Sequence, residues 1–454
     1  MLSVLRNRTY RHLFTAQITA LTGTGLATVA LSLLAYDIAG ENASAVLGTA
    51  LAIKMVAYVA VAPLAGAFAG RVPRRALMAG TDLIRAGAAL ALPFVTQVWQ
   101  VYVLIFVLQA ASAAFTPAFQ ATIPQVLPEE RDYTRALSMS RLAYDLESLG
   151  SPAVAAGLLT LVSYDWLFAG TAFGFLASAT LVVSAVLPGP APVERTGGVY
   201  AKAGFGTRLF WSTPRLRALL ALDLAVAASG AIVFVDTVVL VRDHFHRSAG
   251  AVSLALGAYG AGSMLAALLL PRLLRRTGDR PVMLGAAFAL PAVLAAVAAL
   301  AAVAPGSGSW WALLAAWAAI GAACSAVLTP GGRLVRRSTA DEDLPAAFAA
   351  QFSLSHACWL LTYPLAGWLA AGAGLPVTAS ALGAVALAAA VAAALIWPAR
   401  DPERLEHTHA DLPADHPHLT GASRAAGGWR HGHDYVIDRY HHTWPQARPS
   451  RVGG

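Results

Sequence analysis

Residues 113–159 read "AAFTPAFQATIPQVLPEERDYTRALSMSRLAYDLESLGSPAVAAGLL", and residues 325–370 read "SAVLTPGGRLVRRSTADEDLPAAFAAQFSLSHACWLLTYPLAGWLA". Each stretch is an apolar helix ending in Thr-Pro, then a charged loop, then a helix with Pro midway and Gly soon after. Thr116 and Pro117 correspond to Thr329 and Pro330, and Pro152 to Pro364, at a nearly constant offset. Two copies of one pattern imply two similar halves, the layout of a transporter built from parallel repeats with a substrate path between them.

Composition agrees. Of 454 residues, 57% are hydrophobic and only 12% charged, with a mean hydropathy of +0.60. A soluble chain of this size needs far more polar surface to cover its core, so a cytosolic enzyme, a disordered protein and a secreted disulfide scaffold are excluded. Cys324 and Cys358 both lie in apolar runs, which offers no disulfide framework. The net charge of +8 resides in short loops between apolar runs, so it signals membrane topology rather than a nucleic-acid partner.

Twelve apolar stretches have spanning length: 13–36, 44–69, 77–95, 99–121, 138–163, 166–187, 218–241, 250–271, 282–303, 309–328, 347–372 and 375–397. About twenty residues at 1.5 Å rise cross a hydrocarbon core of ~30 Å. The fold class expected is therefore all-α integral membrane, with twelve transmembrane helices in two six-helix bundles. One bundle covers 1–187 and the other 218–397, joined by a Pro- and Gly-rich connection at 188–217 and followed by a tail at 398–454. Loops assigned alternately to two sides leave only Arg242 and Arg247 on one of them. The other takes Arg6, Arg71, Arg131, Arg208, Arg272, Arg333, their basic neighbours and the tail. The positive-inside rule then puts both termini in the cytoplasm. The opening "MLSVLRNRTYRHLF" reads as a cytoplasmic arm leading into the first span, not a cleavable signal.

The loop "GAFAGRVPRRALM" (66–78) resembles the signature loop of the major facilitator superfamily, Gly-x-x-x-Asp-Arg-x-x-Arg-Arg. Gly66, Arg71, Arg74 and Arg75 match, and Gly70 stands where the family has Asp. In the family that Asp helps latch the cytoplasmic gate. Asp82 and Arg85, three residues apart on one helix face, are expected as substitutes. The resemblance runs to about residue 397. Within the superfamily, "FTPAFQATIPQVLP" (115–128) and 135–159 resemble the enterobactin-exporter-like efflux proteins, which implies an exporter driven by the proton gradient.

The tail narrows the expectation. Eight of the twelve His lie there: His407, His409, His416, His418, His431, His433, His441 and His442, with Asp411, Asp415, Asp434 and Asp438 between them. Short His-rich tracts read as metal-binding, and imidazole suits nickel, cobalt, copper and zinc. With "SLSHACWLLTYPLAGWL" (353–369), this ending is similar to the nickel-resistance exporters, whose cytoplasmic C-terminus is His-rich. The tail would gather metal near the inner mouth, or sense it.

Ionisable residues at membrane depth are costly and therefore functional candidates. They are Lys54, Asp145, Glu147, Asp223, Asp236 and His356, with Cys358 beside the last. Asp145 and Glu147 are the preferred proton carriers, Asp223 and Asp236 the alternatives, and Lys54 a counter-charge. Arg141, one turn before Asp145, can instead pair with it. His356 and Cys358 offer nitrogen and sulfur to a metal, but two residues apart on a helix they point about 200° apart. The chain lacks a Gly-x-x-x-x-Gly-Lys-Ser/Thr loop, which argues against ATP-driven transport. "GAYGAG" (257–262) reads as helix packing.

The expectation is a secondary exporter of the cytoplasmic membrane, not an enzyme, with the bilayer as its surroundings and no nucleic-acid partner. Nickel or cobalt is expected as cargo or tail ligand, the proton gradient as driving force, and no resident cofactor. An exporter of organic molecules, a siderophore or a drug, is the alternative. A transporter fold that signals through its tail is a third.

Overall fold

A computed structural model describes residues 2–39, 43–68, 72–187, 199–304, 306–399, 401, 404–410, 412–413, 415–438, 440–441 and 444–445. The helices that follow the apolar stretches are α1 (Arg8–Ala39), α2 (Ala43–Phe68), α3 (Arg74–Ala91), α4 (Val98–Val126), α5 (Glu130–Leu159) and α6 (Asp165–Ser184) in the first half. A shorter helix, α7 (Val199–Ser212), lies within the connection expected to be loop, and its Gly206 packs on Ala346 and Ala350.

The second half opens with α8 (Pro214–Ala231). It runs on through two π-helical stretches, Ile232–Asp236 and Leu240–His244, on either side of α9 (Thr237–Val239). Then come α10 (Ala249–Thr277), α11 (Asp279–Ala302), α12 (Ser307–Arg337), α13 (Leu344–Ala373) and α14 (Leu375–Ile396). Among the described residues, ten helical segments are long and apolar enough to cross a membrane; α5 and α13 are not among them. Those two carry Asp145 and Glu147 (α5) and Gln351 and His356 (α13).

Within each half the helices close-pack through small residues. A Cβ on Gly262 of α10 would lie 1.9 Å from the Ala318 carbonyl oxygen, and one on Gly321 of α12 would lie 1.9 Å from that of Tyr259. Gly262 belongs to the "GAYGAG" run, so that run packs helices. Across the halves, α2 and α4 pack on α13, and α5 packs on α10 and α12.

At the end bearing the α4–α5 and α12–α13 loops the halves are tied by side chains. Arg333 pairs with Glu130 and donates to Thr134. Tyr133 Oη donates to the Gly332 carbonyl at 3.2 Å. Gln125 Nε2 donates to the Asp341 carbonyl at 3.2 Å.

The all-α expectation holds for the membrane part. The tail instead forms a three-stranded antiparallel sheet in the order β1-β3-β2: β1 (Arg404–His409), β2 (Ser423–Ala425) and β3 (Gly428–Asp434). The register sets His407 opposite His431, and Leu405 opposite His433.

Candidate functional site

Polar side chains converge in three places. The first is the junction of the halves. Lys54 on α2 lies 5.6 Å from the ring centre of Tyr58, and Glu147 on α5 is its electrostatic partner. Tyr58 Oη donates to Gln109 Oε1 at 2.9 Å and meets the His356 ring edge-on at 4.7 Å. His356 Nδ1 lies 2.7 Å from the Phe352 carbonyl, so Nδ1 is the donor and Nε2 keeps a lone pair. Asp145 is occupied: it pairs with Arg141 at 3.1 Å and accepts from Ser263 of the other half at 2.7 Å. Of the two preferred carriers, Glu147 makes no arginine pair among the described residues.

The second place is the contact of α8 with α13. Asp223, 2% exposed, accepts from Gln351 Nε2 at 2.9 Å on Oδ2. Its Oδ1 and Gln351 Oε1 are both buried without a hydrogen-bond partner. Cys358, buried, is the titratable neighbour of Asp223, whereas His356 faces Tyr58. The two residues therefore serve opposite faces of α13, as their spacing predicts. Beyond the end of α8, Asp236 closes the first π-helical stretch, buried, with Oδ2 unpartnered. The next residue, Thr237, accepts from Trp317 Nε1 at 2.8 Å. Single π turns inside helices recur at functional positions.

The gate residues divide. Arg71 and Gly70 lie outside the described residues. Arg74 donates to Gln125, which continues to Asp341 of the other half. Arg75 donates to the Ala185 carbonyl at 2.6 Å. Gly66 sits against Ala349, where a Cβ would lie 2.6 Å from that side chain. Asp82 and Arg85 do pair, but inside the first bundle, with the guanidinium 4.4 Å from Phe115 and 4.5 Å from Phe175. That position sets the pair among aromatic rings of the first bundle. Arg333, which reaches Glu130 across the junction, is held within its own half by Asp279 at 2.9 Å, and Asp279 also holds Arg337 at 3.0 Å. Sequence reading missed Asp279, although "GDR" at 278–280 sits in the matching loop of the second half and keeps the Asp that Gly70 replaces.

The third place is the tail. His407 Nε2 lies 3.0 Å from His409 Nε2, 3.1 Å from His431 Nε2 and 2.9 Å from His441 Nε2. His409 Nε2 lies 3.2 Å from His418 Nε2. The sets His407, His418, His433, His441 and His407, His409, His418, His431 each offer ligand atoms within 4.8 Å of one another. The His-x-His spacing explains this: a strand alternates faces, so each pair in β1 and β3 points one way. Burial above all, joined by the neighbouring imidazoles, pushes His407 and His418 down to about 4 and lowers His409 and His431. Near neutral pH these rings are uncharged and hold lone pairs for a cation. His416 stands outside both sets, its Nδ1 accepting from the His418 amide at 3.2 Å. His442 lies outside the described residues.

The family description "Major Facilitator Superfamily" matches residues 13–241 and 224–431. The chain belongs to that superfamily. Macrolide efflux protein A of Streptococcus pyogenes is 28% identical over 159 residues, 34% of this chain and 39% of that protein. Its counterpart in Enterococcus faecalis is 30% identical over 148 residues, 30% of this chain and 46% of that protein. The chain thus spans less than half the length of the curated relatives it matches. Among solved structures, the human organic anion transporter MFSD10 aligns with a TM-score of 0.70 at 12% identity, covering 85% of this chain and 99% of that one. A bacterial homologue of the iron transporter ferroportin in the outward-facing state aligns at 0.69 and 14% identity, covering 86% and 99%. At such identities the likeness is one of fold.

Proposed function

We propose that this superfamily member is a proton-coupled exporter of a divalent transition metal, nickel or cobalt foremost, working by alternating access in the cytoplasmic membrane with both termini inside. The observation that carries the metal reading is the convergence of tail imidazoles, a donor type suited to those ions on a domain joined to the transporter. The efflux proteins among its relatives support the outward direction. The similarity to nickel-resistance exporters points the same way.

The two halves would rock about the Lys54–Glu147–His356 junction. With the loop arginines inside, the Asp279–Arg333–Glu130 tie closes the cytoplasmic end. His356 Nε2 and the Glu147 carboxylate are the groups that cargo would meet there. Proton coupling falls on Asp223. One proton on its Oδ1 can donate to Gln351 Oε1, completing an acid–amide pair and satisfying both buried orphan atoms at once. Loss of that proton leaves a buried charge facing an amide oxygen, which favours opening to water.

The test is metal content and growth of cells lacking their own nickel exporters, carrying the intact chain or Asp223→Asn. Lowered cell nickel or cobalt with the intact chain alone supports the reading. Unchanged content despite normal membrane expression refutes the metal cargo. The second reading, organic cargo, draws on the ring cluster of Phe234, Tyr259, Trp359 and Tyr363 and on the macrolide names of the relatives. It would show as efflux of a fluorescent organic cation in the same cells.

A further inference from the structure

The tail holds more than a loose group of ligands. Six rings, those of His407, His409, His418, His431, His433 and His441, make fifteen pairs. Twelve have ring centres 4.7–5.2 Å apart. The other three are His407 with His418, at 6.4 Å, His409 with His433, and His431 with His441. Among the described residues the last two pairs make no ring contact. Each ring thus has four near neighbours and one opposite, which is the connectivity of an octahedron. The nitrogen spacings agree. Ligands at right angles about 2.0–2.1 Å from an ion lie about 2.9 Å apart, and tetrahedral ones about 3.3 Å apart. The pairs given above fall at 2.9–3.2 Å.

The neutral tautomers turn lone pairs toward a common centre. Nδ1 of His407 lies 3.1 Å from the Leu405 carbonyl, that of His433 2.8 Å from the Asp434 carbonyl, and that of His441 2.9 Å from Asp438 Oδ1. Each partner is an acceptor, so each Nδ1 carries the proton and each Nε2 a lone pair; outer partners of this kind commonly orient metal-binding His. His407 and His441 then aim two lone pairs at each other across 2.9 Å. His433 Nε2 is buried with no hydrogen-bond partner. A cation at the centre would take up these lone pairs together.

We infer that these six imidazoles form one coordinatively saturated octahedral centre for Ni2+ or Co2+, which staples the tail into a folded cap and reads cytoplasmic metal rather than passing it to the transport path. Zinc prefers four ligands, and six nitrogens leave no open position for hand-off. The ligands come from β1, the turn Pro417–Leu419, β3 and His441 beyond it, so releasing the ion means dismantling the tail fold. The cap is seated on the second bundle. Tyr435, beside His441 at 4.5 Å, meets Trp444 at 5.2 Å. Trp444 lies under the Arg215 guanidinium at 5.1 Å, and Arg215 pairs with Asp401 at 3.7 Å. Arg215 lies eight residues before Asp223 on α8, so metal loading reaches the helix that carries the coupling acid.

The inference rests on the metal reading for its biological use, but its test needs no flux. The full chain, purified in lipid nanodiscs and stripped of metal, is titrated with Ni2+, Co2+ and Zn2+. Ion stoichiometry, X-ray absorption of the nickel form, the visible spectrum of the cobalt form and hydrogen exchange of 404–441 are recorded. One ion per chain is expected, with six nitrogen neighbours, weak octahedral cobalt bands and amide exchange slowed about tenfold or more, since binding is coupled to folding. In His433→Ala one nitrogen neighbour is lost and the slowing shrinks. Intense tetrahedral cobalt bands, several ions per chain, or exchange unchanged by metal overturns the inference. If instead the octahedral centre forms while cells show no metal export, this inference stands and the cargo reading fails.

Discussion

At the scale of single residues, the chemistry lies in polar atoms that the apolar surroundings leave few options. Asp223 and Gln351 share one hydrogen bond and each keep one unpartnered oxygen. Asp223→Asn replaces the acid O–H by an amide N–H and preserves both bonds of the protonated pair. We therefore expect a stable protein whose transport no longer responds to an imposed proton gradient, checked in proteoliposomes. Gln351→Leu removes the amide and leaves the carboxyl alone, at a cost of about 1–3 kcal/mol, read as a lowered unfolding midpoint in detergent. The Asp82–Arg85 pair shows the limit of spacing arguments. Three residues apart predicts that they pair, and they do. It does not say where the helix face that carries them points.

At the scale of elements, helix approach is set by what is missing from side chains. Gly262 and Gly321 let α10 and α12 touch through backbone, each leaving no room for a Cβ against the facing carbonyl. Gly262→Val should cost about 1–3 kcal/mol or more by overpacking and reduce membrane yield, measured by thermal unfolding of the solubilised chain. Gly257, on the same helix with nothing near its missing Cβ, should tolerate Ala with little change. The contrast checks that close approach, and not helix propensity, is at work. The tail strands follow the opposite logic. His-x-His is a strand-face spacing, and its alternation with Thr408 and Gly432 was visible in the chain without any sign of which strand would pair with which.

At the scale of the whole molecule, the two halves meet through the ion pair of Arg333 with Glu130. Gly70 gives up the acid of the first half, while Asp279 of the second half holds Arg333 and Arg337 next to Glu130. Arg333→Ala removes a cross-half ion pair and the Thr134 contact together. The population should shift toward the state open at that end, detected as a longer distance between spin labels on the α4–α5 and α12–α13 loops. Arg85→Ala should leave that distance unchanged, because its pair lies inside one bundle, though it should destabilise that bundle by stranding a buried acid.

The sequence by itself determined what depends on neighbours along the chain. Apolar runs long enough to span a bilayer mark the helices, because hydropathy is local and additive. The repeated Thr-Pro and Pro positions mark the two halves, and the spacing of His356 and Cys358 puts them on opposite faces of α13. Tertiary structure alone decided which distant groups meet. Asp279 reaches Arg333 only because α11 and α12 lie side by side, and Gln351 reaches Asp223 only because α13 packs on α8. The six imidazoles converge from four segments through a strand register and turn geometry that no count of histidines encodes. A ligand set is a property of positions in space, and distances between residues far apart in the chain are set by packing, not by the order of the residues.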